Sequence, residues 1–252
     1  MGCVMKRIRL TIAYDGTDYC GWQIQKNAVT VQGELEKALC RLLGRATEVA
    51  GASRTDSGVH AMGNVAVFDT DTRIPPEKIA MALNHFLPED IRILESQQVA
   101  DDFHPRYCES VKTYEYTILN TRVGIPVRNR YSLHVCRPLD VCAMQEAAEV
   151  LVGTHDFSAF CSAGSQVKSK VRTILEASVA ERDAMAGREI VIRVSGNGFL
   201  YNMVRIIAGT LMEVGQARRT VASVEEAVRS GEREKAGPTA PAHGLMLMEI
   251  RY

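Results

Sequence analysis

Ile8, Leu10, Ile12 and Tyr14 alternate with Arg7, Arg9, Thr11 and Ala13, a period of two that predicts a half-buried strand. The next apolar set has helical spacing. Val31, Leu35, Ala38, Leu39 and Leu42 share one face behind a capping Thr30, and Gly44 marks the end. Pro75 and Pro76 open a second helix with Ile79, Leu83 and Phe86 as its buried stripe, and Pro88 stops it. Strands are expected over 91–99 and 111–120. Asp140 begins a helix that turns Val141, Met144, Ala148 and Leu151 inward and closes at Gly153. Lys168, Lys170 and Arg172 lead into a strand, where they suit either phosphates or a solvated strand edge. Ile190, Ile192 and Val194 mark another strand, and Ile206, Ile207, Leu211 and Val214 a helix. A short helix over 223–230, a loop over 235–242 and a strand over 244–252 complete the chain.

Each half thus reads as strands interrupted by helices, roughly β-α-β-β, with no repeat visible in the residues themselves. The crossing between halves is expected at Asp101–Tyr107, where Pro105 forces extended geometry on His104 and where Phe103 and Arg106 serve as anchors. This gives an N-terminal domain over 1–104 and a C-terminal domain over 105–252.

One loop concentrates the chemistry: Gly51, Ala52, Ser53, Arg54, Thr55, Asp56, Ser57, Gly58, Val59, His60 and Ala61. Both flanks read as strands, Thr47 to Ala50 before it and Val65 to Phe68 after it, so the loop hangs between rigid supports. In an extended stretch Arg54 and Asp56 project to the same side. The same residues also suit a polar hairpin in which Asp56 caps a turn. A second glycine-punctuated loop, Tyr14 to Gln25, carries the only tryptophan, Trp22. It reads as a core residue or, beside Gln23, Gln25 and Lys26, as part of an RNA surface. Arg205 lies beside the apolar stripe of its helix. A charge so placed needs a partner, and Asp56 is the candidate.

Composition narrows the class only slightly. In 252 residues, 46% are hydrophobic and 24% charged, as in ordinary globular proteins. Thirty basic residues balance thirty acidic ones, so total charge does not announce a nucleic-acid partner, though a local basic patch is compatible with it. Cys3, Cys20, Cys40, Cys108, Cys136, Cys142 and Cys161 are scattered without a C-x-x-C pair or zinc-finger spacing. They are expected as free thiols filling the core. With no secretory leader and no apolar run long enough to span a bilayer, a reduced cytoplasm is the expected compartment.

The Asp56 loop resembles the G-A-G/S-R-T-D-A/S-G-V-H-A signature of the tRNA pseudouridine synthase A family, with Ser53 and Ser57 where Gly and Ala are frequent. The resemblance extends to Y-D-G-T-x-(F/Y)-x-G-W-Q-x-Q at residues 14–25, F-H-(A/P)-R-(F/Y) at 103–107 and K/R-x-Y-x-Y at 112–116. It continues in H-D-F-x-x-F at 155–160 and F-x-x-x-M-V-R at 199–205, and so covers nearly the whole chain. It implies an α+β fold of two RRM-like (ferredoxin-like) α/β domains whose antiparallel sheets join across a central RNA-binding cleft. It also implies Asp56 as the catalytic carboxylate, Arg205 near it, Tyr114 rather than Tyr116 as the substrate-facing ring, and Arg54 as the side chain entering the duplex behind the extruded base. The partner implied is tRNA, at uridines of the anticodon stem-loop (tRNA positions 38 to 40), bound by a homodimer.

Isomerising uridine to pseudouridine breaks the N1–C1′ bond, turns the uracil and rejoins it through C5, so neither cofactor nor metal is required. A carboxylate can attack C1′, add to C6 or act as a base on the sugar. Tyr114 offers a ring face to the uracil and a hydroxyl for the proton at C5. His60, His104 and His155 read as packing or hydrogen-bonding residues, because the family uses no histidine in its chemistry. A non-catalytic protein of two RRM-like units would favour an aromatic RNP pattern, which the chain lacks. A hydrolase built on Asp56 and His60 would need an activated water or metal, and no ligand set is apparent.

Overall fold

The computed structural model describes residues 5–165, 167–184 and 187–252, so Cys3 lies outside the described residues. The architecture is mixed α+β, and the chain divides into two compact units: Met1–Glu109 with Leu247–Ile250 and Tyr252, and Ser110–Met246 with Arg251.

The first unit contains β1 (Lys6–Tyr14), α1 (Val31–Leu43), β2 (Ala50–Gly51) and β3 (His60–Thr70). A 3-10 turn (Pro76–Lys78) leads into α2 (Ile79–Asn84), which is followed by β4 (Ile91–Val99). β1 is central and antiparallel to β3 and β4, with Ile8 opposite Phe68 and Leu10 opposite Ala66. The alternation holds, since Ile8, Leu10 and Ile12 are fully buried. Thr30 caps α1 by accepting from Gly33 N–H, and Gly44 ends it at φ 71°, the left-handed turn that glycine takes without strain.

The second unit holds β5 (Val111–Asn120), β6 (Leu133–His134), α3 (Val141–Glu149), β7 (Gly153–Asp156) and β8 (Val171–Ala184). β9 (Gly187–Gly196), α4 (Met203–Gly215) and α5 (Val221–Ser230) follow. Its strands run in the order β5-β9-β8-β7, antiparallel throughout, with β6 parallel to β5. The last strand, β10 (Leu245–Arg251), lies beside β3 and gives Leu247–Ile250 to the first unit.

Several expectations are corrected by tertiary hydrogen bonding. The strand expected over 47–50 shrinks to Ala50–Gly51. Val49 N–H donates instead to Glu36 Oε1 at 3.1 Å, and Val49 O accepts from Gln32 Nε2 at 3.1 Å, so α1 side chains take the place of a strand partner. α2 ends at Asn84, before Phe86, because the Asn84 amide turns to Ile93 and bonds both its C=O and its N–H, at 2.9 and 2.8 Å. α3 stops at Glu149, although Leu151 is buried as expected. The cysteines do not fill the core: among the described residues only Cys161 is buried, Cys108 is half-buried, and Cys20, Cys40, Cys136 and Cys142 are exposed. Cys40 and Cys142 simply fall off the inward faces of α1 and α3, which are filled by Leu35, Ala38 and Leu39 and by Met144, Ala147 and Ala148.

Candidate active site

The Asp56 loop follows the edge of β2 and is clamped by the Tyr14–Gln25 segment. Along it burial alternates as an extended chain demands: Ser53 and Thr55 face inward, Arg54 is exposed and Asp56 half-exposed. Neighbouring segments tie down several of its backbone groups. Ala52 N–H donates to Val65 O at 2.8 Å, Thr55 O accepts from Trp22 N–H at 3.1 Å, and Ser53 O accepts from Asn64 Nδ2 at 3.2 Å. Beyond Asp56, the Ser57 hydroxyl and Gly58 N–H both donate to Tyr19 O, at 3.1 and 3.3 Å. Val59 N–H closes a turn on Asp56 O at 3.1 Å, and Gly58 supplies its φ of 78°. Below the loop the Tyr14 and Thr55 hydroxyls share a bond at 2.7 Å, and Asn64 donates to Tyr14 Oη at 3.2 Å. Asp56 is therefore presented by a loop held from both sides, which fixes a carboxylate in the way a catalytic group requires.

Trp22 belongs to the core. It is 1% exposed, and its ring lies where a side chain on Gly51 would sit, 2.3 Å from the position of a Cβ there. Gln23, Gln25 and Lys26 remain exposed around it. Gly21 combines φ of 84° with a backbone approach that leaves only 2.6 Å between a Cβ and Thr55 O. Gly21→Ala is therefore expected to destabilise the first unit by roughly 2–3 kcal/mol and to loosen the Asp56 loop. Chemical denaturation of the variant, read with the rate of turnover, checks this. A wild-type midpoint would mean that the clamp is not needed.

His60 is 1% exposed and accepts from Gly16 N–H through Nδ1 at 3.0 Å. Asp15 Oδ1 lies 3.1 Å from the same nitrogen and accepts from the Thr17 N–H and hydroxyl. His155 Nε2 bonds Val152 O at 3.1 Å. Both histidines do bracing work. Among the described residues, no group of three or more His, Cys, Asp or Glu side chains is placed to hold a metal ion.

Asp56 and Arg54 lie in the first unit, Tyr114 and Arg205 in the second. Tyr114, on β5, is 7% exposed, and its ring stands edge-on to Phe199 at 5.2 Å and 85°. Tyr116 faces the same side but is already committed. Its hydroxyl donates to Pro241 O at 2.9 Å, it is fully buried, and burial pushes its phenol well above the usual range. Phe199, the first residue of the 199–205 motif, packs edge-on against Tyr114 and sets its plane. Arg205, near the start of α4, is half-buried, with Nε on Ala240 O at 2.7 Å and Nη1 on Asn202 Oδ1 at 2.8 Å. The 236–241 loop is thereby fastened to the helix, and Gly237 N–H donates to Thr210 Oγ1 at 2.8 Å. At the start of β8, Arg172 folds back onto Ser169 O and Val171 O, while Lys168 and Lys170 before the strand are exposed and half-buried respectively.

A family model described as tRNA pseudouridine synthase matches residues 10–108 and 147–252. Among curated relatives, the tRNA pseudouridine synthase A of Brevibacillus brevis is 51% identical, over 98% of this chain and 100% of its own. Those of Ruminiclostridium cellulolyticum and Clostridium acetobutylicum are 50% and 48% identical over the same shares.

Proposed function

The chain belongs to the tRNA pseudouridine synthase family, and we propose the following division of labour for the isomerisation of uridine to pseudouridine in tRNA. Asp56 supplies the carboxylate that acts on the target nucleotide, breaking and allowing remaking of the bond between ribose and base. Arg205 is its counter-charge, keeping it ionised and directed. Tyr114 stacks on the uracil and handles the proton at C5, its ring plane held by Phe199. Arg54, exposed beside the carboxylate, enters the stack behind the extruded base. The chemistry requires all four to serve one uridine.

The observation that carries this reading is the clamping of the Asp56 loop by the Trp22 N–H, Tyr19 O and Asn64 bonds. A loop whose only task was to turn the chain would not need two other segments to hold it. The two units are, on this reading, RRM-like α/β halves, a description supported by the antiparallel sheet in each. On this reading the target lies in the anticodon stem-loop, at tRNA positions 38 to 40, and the working form is a cytoplasmic homodimer. No helix among the described residues is long and apolar enough to cross a membrane.

The test is to incubate the purified protein with unmodified tRNA transcripts, without added metal or cofactor, and to map pseudouridine. New pseudouridine in the anticodon stem-loop is expected; its absence from every transcript overturns the reading. Affinity for tRNA should also fall steeply with salt although thirty basic and thirty acidic residues cancel. Each neutralised phosphate contributes a slope of about −0.7 to −0.9 in log K against log salt. An affinity indifferent to salt would point away from RNA.

A further inference from the structure

The segment from His104 to Tyr107 takes no part in the chemistry above, yet its side chains are arranged with care. Arg106 Nη2 donates to Gly51 O at 3.1 Å, which sets the guanidinium at the entrance of the Asp56 loop. Burial first, and then the like charge of Arg54, hold the Arg106 guanidinium below its ordinary range, so the two cations feel one another. Neither has a carboxylate partner among the described residues. Like charges without a counter-ion repel, and an anion at Arg106 relieves the cost.

Next to them the His104 and Tyr107 rings stack, with centroids 4.2 Å apart and planes 26° from parallel. Arg106 N–H donates to His104 Nδ1 at 3.2 Å, which fixes the imidazole under the phenol. Tyr107 is 79% exposed, more than any other tyrosine among the described residues. A tyrosine held in a fixed plane with its outer face in solvent contributes little to the core and offers a surface for a base.

We propose that Arg106 binds a backbone phosphate of the tRNA next to the extruded nucleotide, and that Tyr107 stacks on a neighbouring base. The inference rests on the synthase reading and adds a second point of contact outside the chemistry. It gives Arg106 a role in binding that an arginine bonded only to the Gly51 carbonyl would lack. The phosphate contact positions the strand, and the ring accepts whichever base stands there.

The experiment measures Kd for an unmodified tRNA transcript against salt, together with KM and kcat, for wild type, Arg106→Gln, Arg106→Lys, Tyr107→Ala and Tyr107→Phe. Arg106→Gln is expected to weaken binding about tenfold and to reduce the salt slope by about 1. Arg106→Lys should restore the slope and part of the affinity. Tyr107→Ala should weaken binding about tenfold with an unchanged slope, and Tyr107→Phe should behave as wild type. In the weakened variants KM rises with Kd, and kcat at saturating tRNA falls far less. If Arg106 only braces Gly51, Arg106→Gln lowers kcat or the melting temperature and leaves the salt slope intact, which overturns the proposal. Equal affinities for Tyr107→Ala and wild type remove the stacking half of it. A wild-type protein that neither binds nor modifies tRNA fails at the earlier step and overturns the synthase reading as well.

Discussion

Asp56→Asn is expected to abolish turnover on tRNA while folding and affinity stay near wild type. The amide keeps the shape of the carboxylate and removes the charge that attacks or abstracts. The bonds that hold the loop come mostly from its neighbours: Trp22 N–H to Thr55 O, Asn64 to Ser53 O, and Ser57 and Gly58 to Tyr19 O. The substitution touches none of them, so the loop should keep its path. Losing a covalent or basic group usually costs about a thousandfold or more in rate, far beyond what a misplaced hydrogen bond explains. The measurement is single-turnover pseudouridine formation with enzyme in excess, beside tRNA affinity and a melting curve. A variant that retains a tenth of the wild-type rate would show that the carboxylate is not the reacting group.

Arg205→Leu is expected to lower activity and to move the acid limb of the pH–rate profile to higher pH. The sign follows from the role proposed for Asp56. A carboxylate that works ionised supports activity above its pKa, and activity is lost as pH falls through that value. If Arg205 is the counter-charge proposed for Asp56, removing it makes protonation easier, so the loss begins at a higher pH. Leucine also gives up the bonds to Ala240 O and Asn202 Oδ1, so the attachment of the 236–241 loop to α4 weakens and the second unit should melt earlier. Two such bonds to a charged donor contribute about 1.5–3 kcal/mol each, less any new packing of the leucine. Arg205→Lys keeps the charge but not the planar fork, and should recover the pH profile better than it recovers stability. Activity against pH for the three proteins, with folding followed independently, separates the two effects. A profile for Arg205→Leu that overlays wild type, together with a lowered melting point, would confine Arg205 to fastening the loop.

Local rules determined the elements that local rules can reach. The alternation in β1, the Thr30 and Asp140 caps and the Gly44 stop need only neighbouring residues to act, and each is found where the sequence places it. The motif around Asp56 was equally legible, because a reactive carboxylate between small residues is written in consecutive positions, and so was membership of the family. The tertiary structure decided matters in which a group's partner lies far along the chain. Val49 loses its strand to Glu36 and Gln32, and α2 loses its last turn to the pairing of Asn84 with Ile93. Trp22 became a core residue because Gly51 leaves room for its ring. Period two put Tyr114 and Tyr116 on one face, and the folded chain gives them different surroundings, with Pro241 O, 125 residues from Tyr116, taking the Tyr116 hydroxyl. Arg106 reads in the sequence as a linker anchor, and in the folded chain its guanidinium is bonded to Gly51 O. Propensity, capping and periodicity act over a few residues, whereas a buried polar group takes whichever partner the folded chain brings within hydrogen-bonding distance, and no local pattern encodes that choice.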